Sequence, residues 1–242
     1  MAEFDSMRST TRSDSHVSID SGLRAHMNKV YGLMAVAMII TGAVAWSIGT
    51  TPQLVYALFS NTIISLIVMF APLGFVFFLS ARVMKMSYGG GQLAFWLFSA
   101  LMGLSLSTIF IAYTGASIAN AFFTTAVAFG AMSLFGYTTT KDLSGMWKFL
   151  FMGVIGLIVA MIINWFTQSP GLEFAINVLG VLIFAGLTAY DTQNIKNTYL
   201  SLRSAPNGEE VAAKAGILGA LSLYINFLNM FMFLLALMGN RE

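Results

Sequence analysis

Seven runs of apolar residues constrain this chain more than any other feature. They lie at about 30–49, 62–81, 92–113, 117–138, 147–166, 174–190 and 216–238, and each approaches the roughly 20 residues that carry a helix across a bilayer core. Unpaired backbone groups are prohibitively costly in lipid, so each run must satisfy its own hydrogen bonds, as a helix does. The runs are too long and too uniformly apolar for the alternating strands of a membrane barrel. The expected fold class is therefore an all-α membrane protein, a bundle of seven transmembrane helices. Composition agrees, with 57% hydrophobic and only 9% charged residues, where soluble domains carry about a quarter charged residues.

Residues 1–29 are rich in Ser, Thr, Asp and Arg, a composition that cannot offset the entropy of ordering, and are expected to form a disordered tail before the membrane domain 30–242. The first apolar run starts too late for a cleavable signal peptide, so the tail is expected to stay. Lys and Arg fall in alternate connections: Arg8, Arg12, Arg24 and Lys29; Arg82 and Lys85; Lys141 and Lys148; Lys196, Arg203 and Lys214. The connections at about 50–61, 114–116 and 167–173 contain none. Cytoplasmic loops retain positive charge, which predicts a cytoplasmic N-terminus and, with seven crossings, a C-terminus on the other side.

Small residues four apart, Ser99, Gly103 and Ser107 in the third run and Ala126 and Gly130 in the fourth, predict close helix packing. Pro72 predicts a kink in the second. Gly89-Gly90-Gly91 reads as a flexible turn, without the strand and helix context of a phosphate-binding loop.

The chain has no cysteine, which excludes thiolate chemistry. His16 and His26 lie in the polar N-terminal segment, so no histidine is expected to act as base or metal ligand within the membrane. Intramembrane proteolysis needs a Ser with His, paired aspartates or a His metal site, and none is visible in the runs, so no enzyme activity is expected. Lys214 precedes the seventh run, where a retinal Schiff base would need a mid-helix lysine. No cofactor and no nucleic-acid partner are expected.

Asp191 stands out. It is a carboxylate at the end of the sixth run, and an ionisable group there is costly unless it has a partner or a task. Helical periodicity places Asn177, Gly180, Phe184, Thr188 and Asp191 on one face. In the seventh run Gly219, Ser222, Asn226 and Asn229 form a second polar stripe, with Tyr224 pointing away. The plainer reading is that Ser222, Asn226 and Asn229 only hydrogen-bond neighbouring helices and that Asp191 is solvated at the interface beside Lys196. Glu173 and Asp142 read as loop carboxylates. Arg82, ending the second helix on the same side, is the cation expected to pair with Asp191, and such a pair would be a gate.

The stretches Phe184-Ala185-Gly186-Leu187-Thr188-Ala189-Tyr190-Asp191-Thr192-Gln193, Ala220-Leu221-Ser222-Leu223-Tyr224-Ile225-Asn226-Phe227-Leu228-Asn229-Met230-Phe231 and Gly136-Tyr137-Thr138-Thr139-Thr140-Lys141-Asp142-Leu143-Ser144 resemble the transmembrane Bax inhibitor motif family, in its bacterial branch. The resemblance covers essentially everything after the tail. It implies a bundle with helix 7 central, a bacterial inner membrane location, and a pH-sensitive calcium leak in which two aspartates, from helices 6 and 7, share a proton while an arginine latches the former. Asp191 matches the helix 6 aspartate and Arg82 the region of the latch. Asn226 stands where the second aspartate is usual. An amide offers a carbonyl oxygen to a hard cation but cannot share a proton, so weak calcium contact at Asp191 and Asn226 and a pH response shifted toward acid are expected. Thr188, Ser222 and Asn229 are the supporting stripe.

The alternative is an interaction protein that modulates another membrane protein, such as a quality-control protease, with the tail and a polar 195–214 loop as handles. A proton-coupled solute transporter is disfavoured, because one carboxylate lies near the core and no inverted repeat is visible.

Overall fold

The computed structural model describes residues 2–203 and 205–240, with side chains described from Ser21 onward. Among the described residues the structure is helical without strands: α1 (Ala2–Gly49), α2 (Pro52–Phe59), α3 (Thr62–Arg82), a 3-10 turn Val83–Lys85, α4 (Tyr88–Leu106), α5 (Ile109–Ala112), α6 (Gly115–Thr138), α7 (Ser144–Thr167), α8 (Pro170–Leu202) and α9 (Gly208–Met238). Seven helical stretches among them are long and apolar enough to cross a bilayer. Their outward faces carry large apolar side chains such as Phe77, Phe149, Ile162 and Leu182, as lipid requires. Trp165 and Phe166 stand exposed at the end of α7, at a membrane boundary where aromatic rings settle.

Burial ranks the spans. In α9, 44% of the apolar window is enclosed by protein, against 11% in α7 and 17% in α3, so α9 has neighbours on most sides while α7 and α3 face lipid. α9 also traverses the whole bundle. Its Gly216 lies against His26 of α1, and beyond its other end Asn240 accepts from the Thr114 N–H and donates to Ser117 Oγ.

The periodic faces match the packing on α8, where Asn177, Gly180, Phe184 and Thr188 are buried. Tyr224 points the other way, fully buried against α1 and α4, its hydroxyl 2.6 Å from Thr41 Oγ1, which donates to the Ser99 carbonyl at 2.8 Å. Gly103 brings α4 onto α1, where a Cβ would lie 2.6 Å from the Thr41 carbonyl.

Several expectations need correction. Ala126 and Gly130 are exposed. The packed face of α6 is Ser117, Ala121, Thr125, Phe129 and Ser133 with Gly136, one residue, or about 100°, away. Gly89 to Gly91 form no turn but the first turn of α4, capped by Ser87 Oγ on the Gly90 N–H at 3.2 Å. Gly91 lets Val83 and Ile217 approach. Pro72 lies within the continuous helix α3, which is compatible with the expected kink, whereas the third run is broken at Ser107 and Thr108.

The polar ends of the spans differ most. Residues 21–29, expected in a disordered tail, are helical and pack through Leu23, His26 and Met27; the side chains of residues 1–20 lie outside the described ones. The expected 195–214 loop is mostly helix as well: α8 continues to Leu202, α9 starts at Gly208, and a short turn joins them. These extensions interlock. Leu23, His26, Met27, Val30, Leu33, Met34 and Ala37 are buried at three- and four-residue spacing on α1, so one apolar stripe crosses the boundary between polar and apolar sequence.

Candidate functional site

α8 and α9 run antiparallel and share the most extensive helix contact in the molecule. Glycines allow it: a Cβ at Gly180 would strike the Phe233 ring, and one at Gly219 would lie 2.7 Å from Ile195 Cγ1. This close approach brings the two polar stripes face to face. Asn226 Nδ2 donates to Asp191 Oδ2 at 2.7 Å, with Asn226 buried and Asp191 partly so. A hydrogen bond to an ionised partner contributes about 1.5–3 kcal/mol.

The amide faces the carboxylate through its nitrogen. It therefore acts as a donor that holds Asp191, and it does not set its oxygen beside the carboxylate as a cation contact would need. One carboxylate and one such amide fall far short of the six to eight oxygens that calcium takes. Among the described residues no group of three or more His, Cys, Asp or Glu gathers as metal ligands.

The supporting residues divide. Ser222 lines the cavity beside Asp191. Thr188 Oγ1 donates to the Phe184 carbonyl at 2.8 Å and Asn229 Nδ2 to the Ile225 carbonyl at 2.8 Å, so both spend their donors within their own helices. Gln193, two residues after Asp191 and so on the opposite side of α8, does structural work: its Nε2 donates to the Lys141 carbonyl and its Oε1 accepts from the Leu143 N–H, both at 2.8 Å. Lys196 Nζ donates to the Tyr137 carbonyl at 2.8 Å. Together they tie the turn between α6 and α7 to α8.

Arg82 does not join the site. It ends α3 exposed, and no ion pair links it to Asp191 among the described residues. The reason is architectural: α3 packs chiefly on α4 and has no extensive contact with α8.

Sequence reasoning missed His26. Far from lying in a solvated tail, it is buried and stacks on Tyr199 of α8, with ring centroids 4.6 Å apart and planes at 23°. Both rings line a cavity of about 190 Å³ that also contains Asp191 and Ser222. The signal was present in the spacing of Leu23, His26, Met27 and Val30, which continues the apolar stripe of α1 into the polar segment.

The sequence comparisons fit this architecture. The family model described as inhibitor of apoptosis-promoting Bax1 matches residues 23–242, starting where the α1 stripe starts. The inner membrane protein YbhL of Escherichia coli K12 is 45% identical over 233 residues, covering 96% of this chain and 98% of its own. A protein of Caulobacter vibrioides is 44% identical with 97% and 96% covered, and protein RP147 of Rickettsia prowazekii 40% identical with 99% of both chains covered. With the family model spanning all seven membrane helices, the chain belongs to the Bax inhibitor family of multi-pass membrane proteins.

Proposed function

We propose that this protein is a pH-sensitive cation leak, with calcium as its cargo, gated around Asp191 at the contact of α8 and α9. The observation that carries the reading is the 2.7 Å bond from Asn226 Nδ2 to Asp191 Oδ2 beside a cavity. A carboxylate held by a neutral donor has one protonation step. When Asp191 is ionised, the charge-assisted bond draws α8 and α9 together. Adding a proton removes that charge and weakens the bond, so acid loosens this contact and flux is expected to rise. No catalytic step is involved.

The alternation of Lys and Arg supports a cytoplasmic N-terminus, and the likeness to YbhL supports the bacterial inner membrane. In that orientation the Asp191 cavity lies toward the cytoplasmic end of the bundle.

The test is calcium entry into liposomes carrying the purified chain, at neutral and mildly acidic pH, with Asp191→Asn alongside. The expected result is flux that rises with acid in the parent and loses that response in the variant. Flux no greater than in empty liposomes at either pH would overturn the leak. A pH response that persists in Asp191→Asn would leave the leak but move its sensor elsewhere.

A further inference from the structure

Two cavities meet at one pair of rings. The inner one, about 190 Å³, contains Asp191 and Ser222, and His26, Tyr199 and Ala212 form part of its wall. The second, about 480 Å³, is bounded by the same three residues and carries Lys29, Tyr88 and Glu209. Both cavities are partly open clefts, and the stacked rings lie in the wall that they share. The rings sit in a fitted seat. A Cβ at Gly22 would come within 2.6 Å of the Tyr199 hydroxyl and one at Gly216 within 3.0 Å of His26 Cε1, so glycine at both positions leaves room for the stack.

The inner cavity has a charge preference. Asp191 is its only acidic residue and no Lys or Arg lines it, so a small cation is the ion it would attract. The outer cavity carries one acid and one base, Glu209 and Lys29, and imposes no comparable choice.

We propose that the outer cavity is the vestibule of a route by which small hydrated cations reach Asp191, and that the stacked His26 and Tyr199 rings are the door across it. The proposal rests on the reading of Asp191 as the residue that the ion serves, and it assigns the entrance that reading leaves open. His26 and Tyr199 act by position: while the rings lie on one another, the two cavities are separate.

The absence of cysteine permits a direct test in the full-length protein in lipid nanodiscs. A reporter thiol is placed in the inner cavity by Ser222→Cys and, separately, in the vestibule by Ala213→Cys. Labelling rates are then measured with a trimethylammonium-bearing and a sulfonate-bearing methanethiosulfonate. Position 213 is expected to label quickly in every background. Position 222 is expected to label at least tenfold more slowly with His26 and Tyr199 in place, to approach the vestibule rate in Tyr199→Ala or His26→Ala, and to stay slow in Tyr199→Phe, which keeps the ring. In the opened variants the cationic reagent is expected to outrun the anionic one at 222 but not at 213.

Equal labelling of 222 with and without the Tyr199 ring would overturn the door, as would slow labelling in both ring-removal variants when they elute and melt like the parent. Equal rates for the two reagents at 222 would overturn the cation assignment. Labelling requires no ion flux, so failure of the liposome assay and failure of this one are separate results.

Discussion

At the scale of residues, the pairing of an amide with a carboxylate has a consequence that substitution can reach. Asn226→Asp places a second carboxyl within hydrogen-bond distance of Asp191, and two like charges so close cannot both ionise. The pair would then hold a shared proton, and the acid rise in flux is expected to begin at higher pH than in the parent; an unchanged liposome pH profile would refute the argument. Asn226→Ala removes the donor and leaves the carboxylate underpaired, which is expected to lower stability by about 1–3 kcal/mol in detergent melts. Outside the membrane, Asp142 accepts from the Ser144 N–H and hydroxyl, both at 2.9 Å, and these bonds hold its carboxyl below the usual carboxylate range. The stabilisation of that turn is therefore present above the ordinary carboxylate value and lost as pH falls through the depressed one. Amide exchange at Ser144, corrected for intrinsic rates, is expected to accelerate across that acid window in the parent and to show no such step in Asp142→Ala. Asp191 and Asn226 were legible in the sequence because polar residues in apolar helices are conspicuous. His26 was not, because its helix looks polar until the spacing of its buried neighbours is traced.

At the scale of elements, periodicity located faces and failed at ends. The α8 face from Asn177 to Asp191 was readable because one offset rule holds throughout a helix. The ends of α1, α8 and α9 were not, since a polar helix exposing one side has the composition of a loop, and only the partner helix reveals the difference. The same limit misassigned α6: two small residues four apart occur on more than one face, and only contact with α8 decides between them. Gly136 is the deciding position, where a Cβ would overlap the Ala189 carbonyl. Gly136→Ala is expected to force α6 off α8 and cost about 1–3 kcal/mol, whereas Gly130→Ala, with open space around it, is expected to stay within about 0.5 kcal/mol. Thermal unfolding of the two variants in the same detergent separates the faces. Arg82 failed for a related reason, because sequence gives the level of a side chain along the membrane normal but not which helices its own helix packs against.

At the scale of the whole molecule, the number of spans and their all-helical character followed from lipid chemistry before any contact was known. The arrangement did not, because apolar runs of similar length are interchangeable until their few polar and glycine positions are matched. The enclosed position of α9 bears on biosynthesis. Of the seven spans, the one with the largest protein-enclosed share is the seventh in chain order, and its Tyr224 closes on Thr41 of the first span. Until it arrives, Thr41 and Asp191 lack the groups that α9 presents to them. Closure of the bundle is therefore expected to wait for α9, and a stop codon after Asn207 is expected to yield chains that membrane proteolysis removes rather than a six-span protein. Pulse-chase of that truncation beside the full chain would show it, and equal lifetimes would mean the first six spans close without α9. The interval in which these polar groups stand without their α9 partners is then set by how long the ribosome takes to deliver that helix.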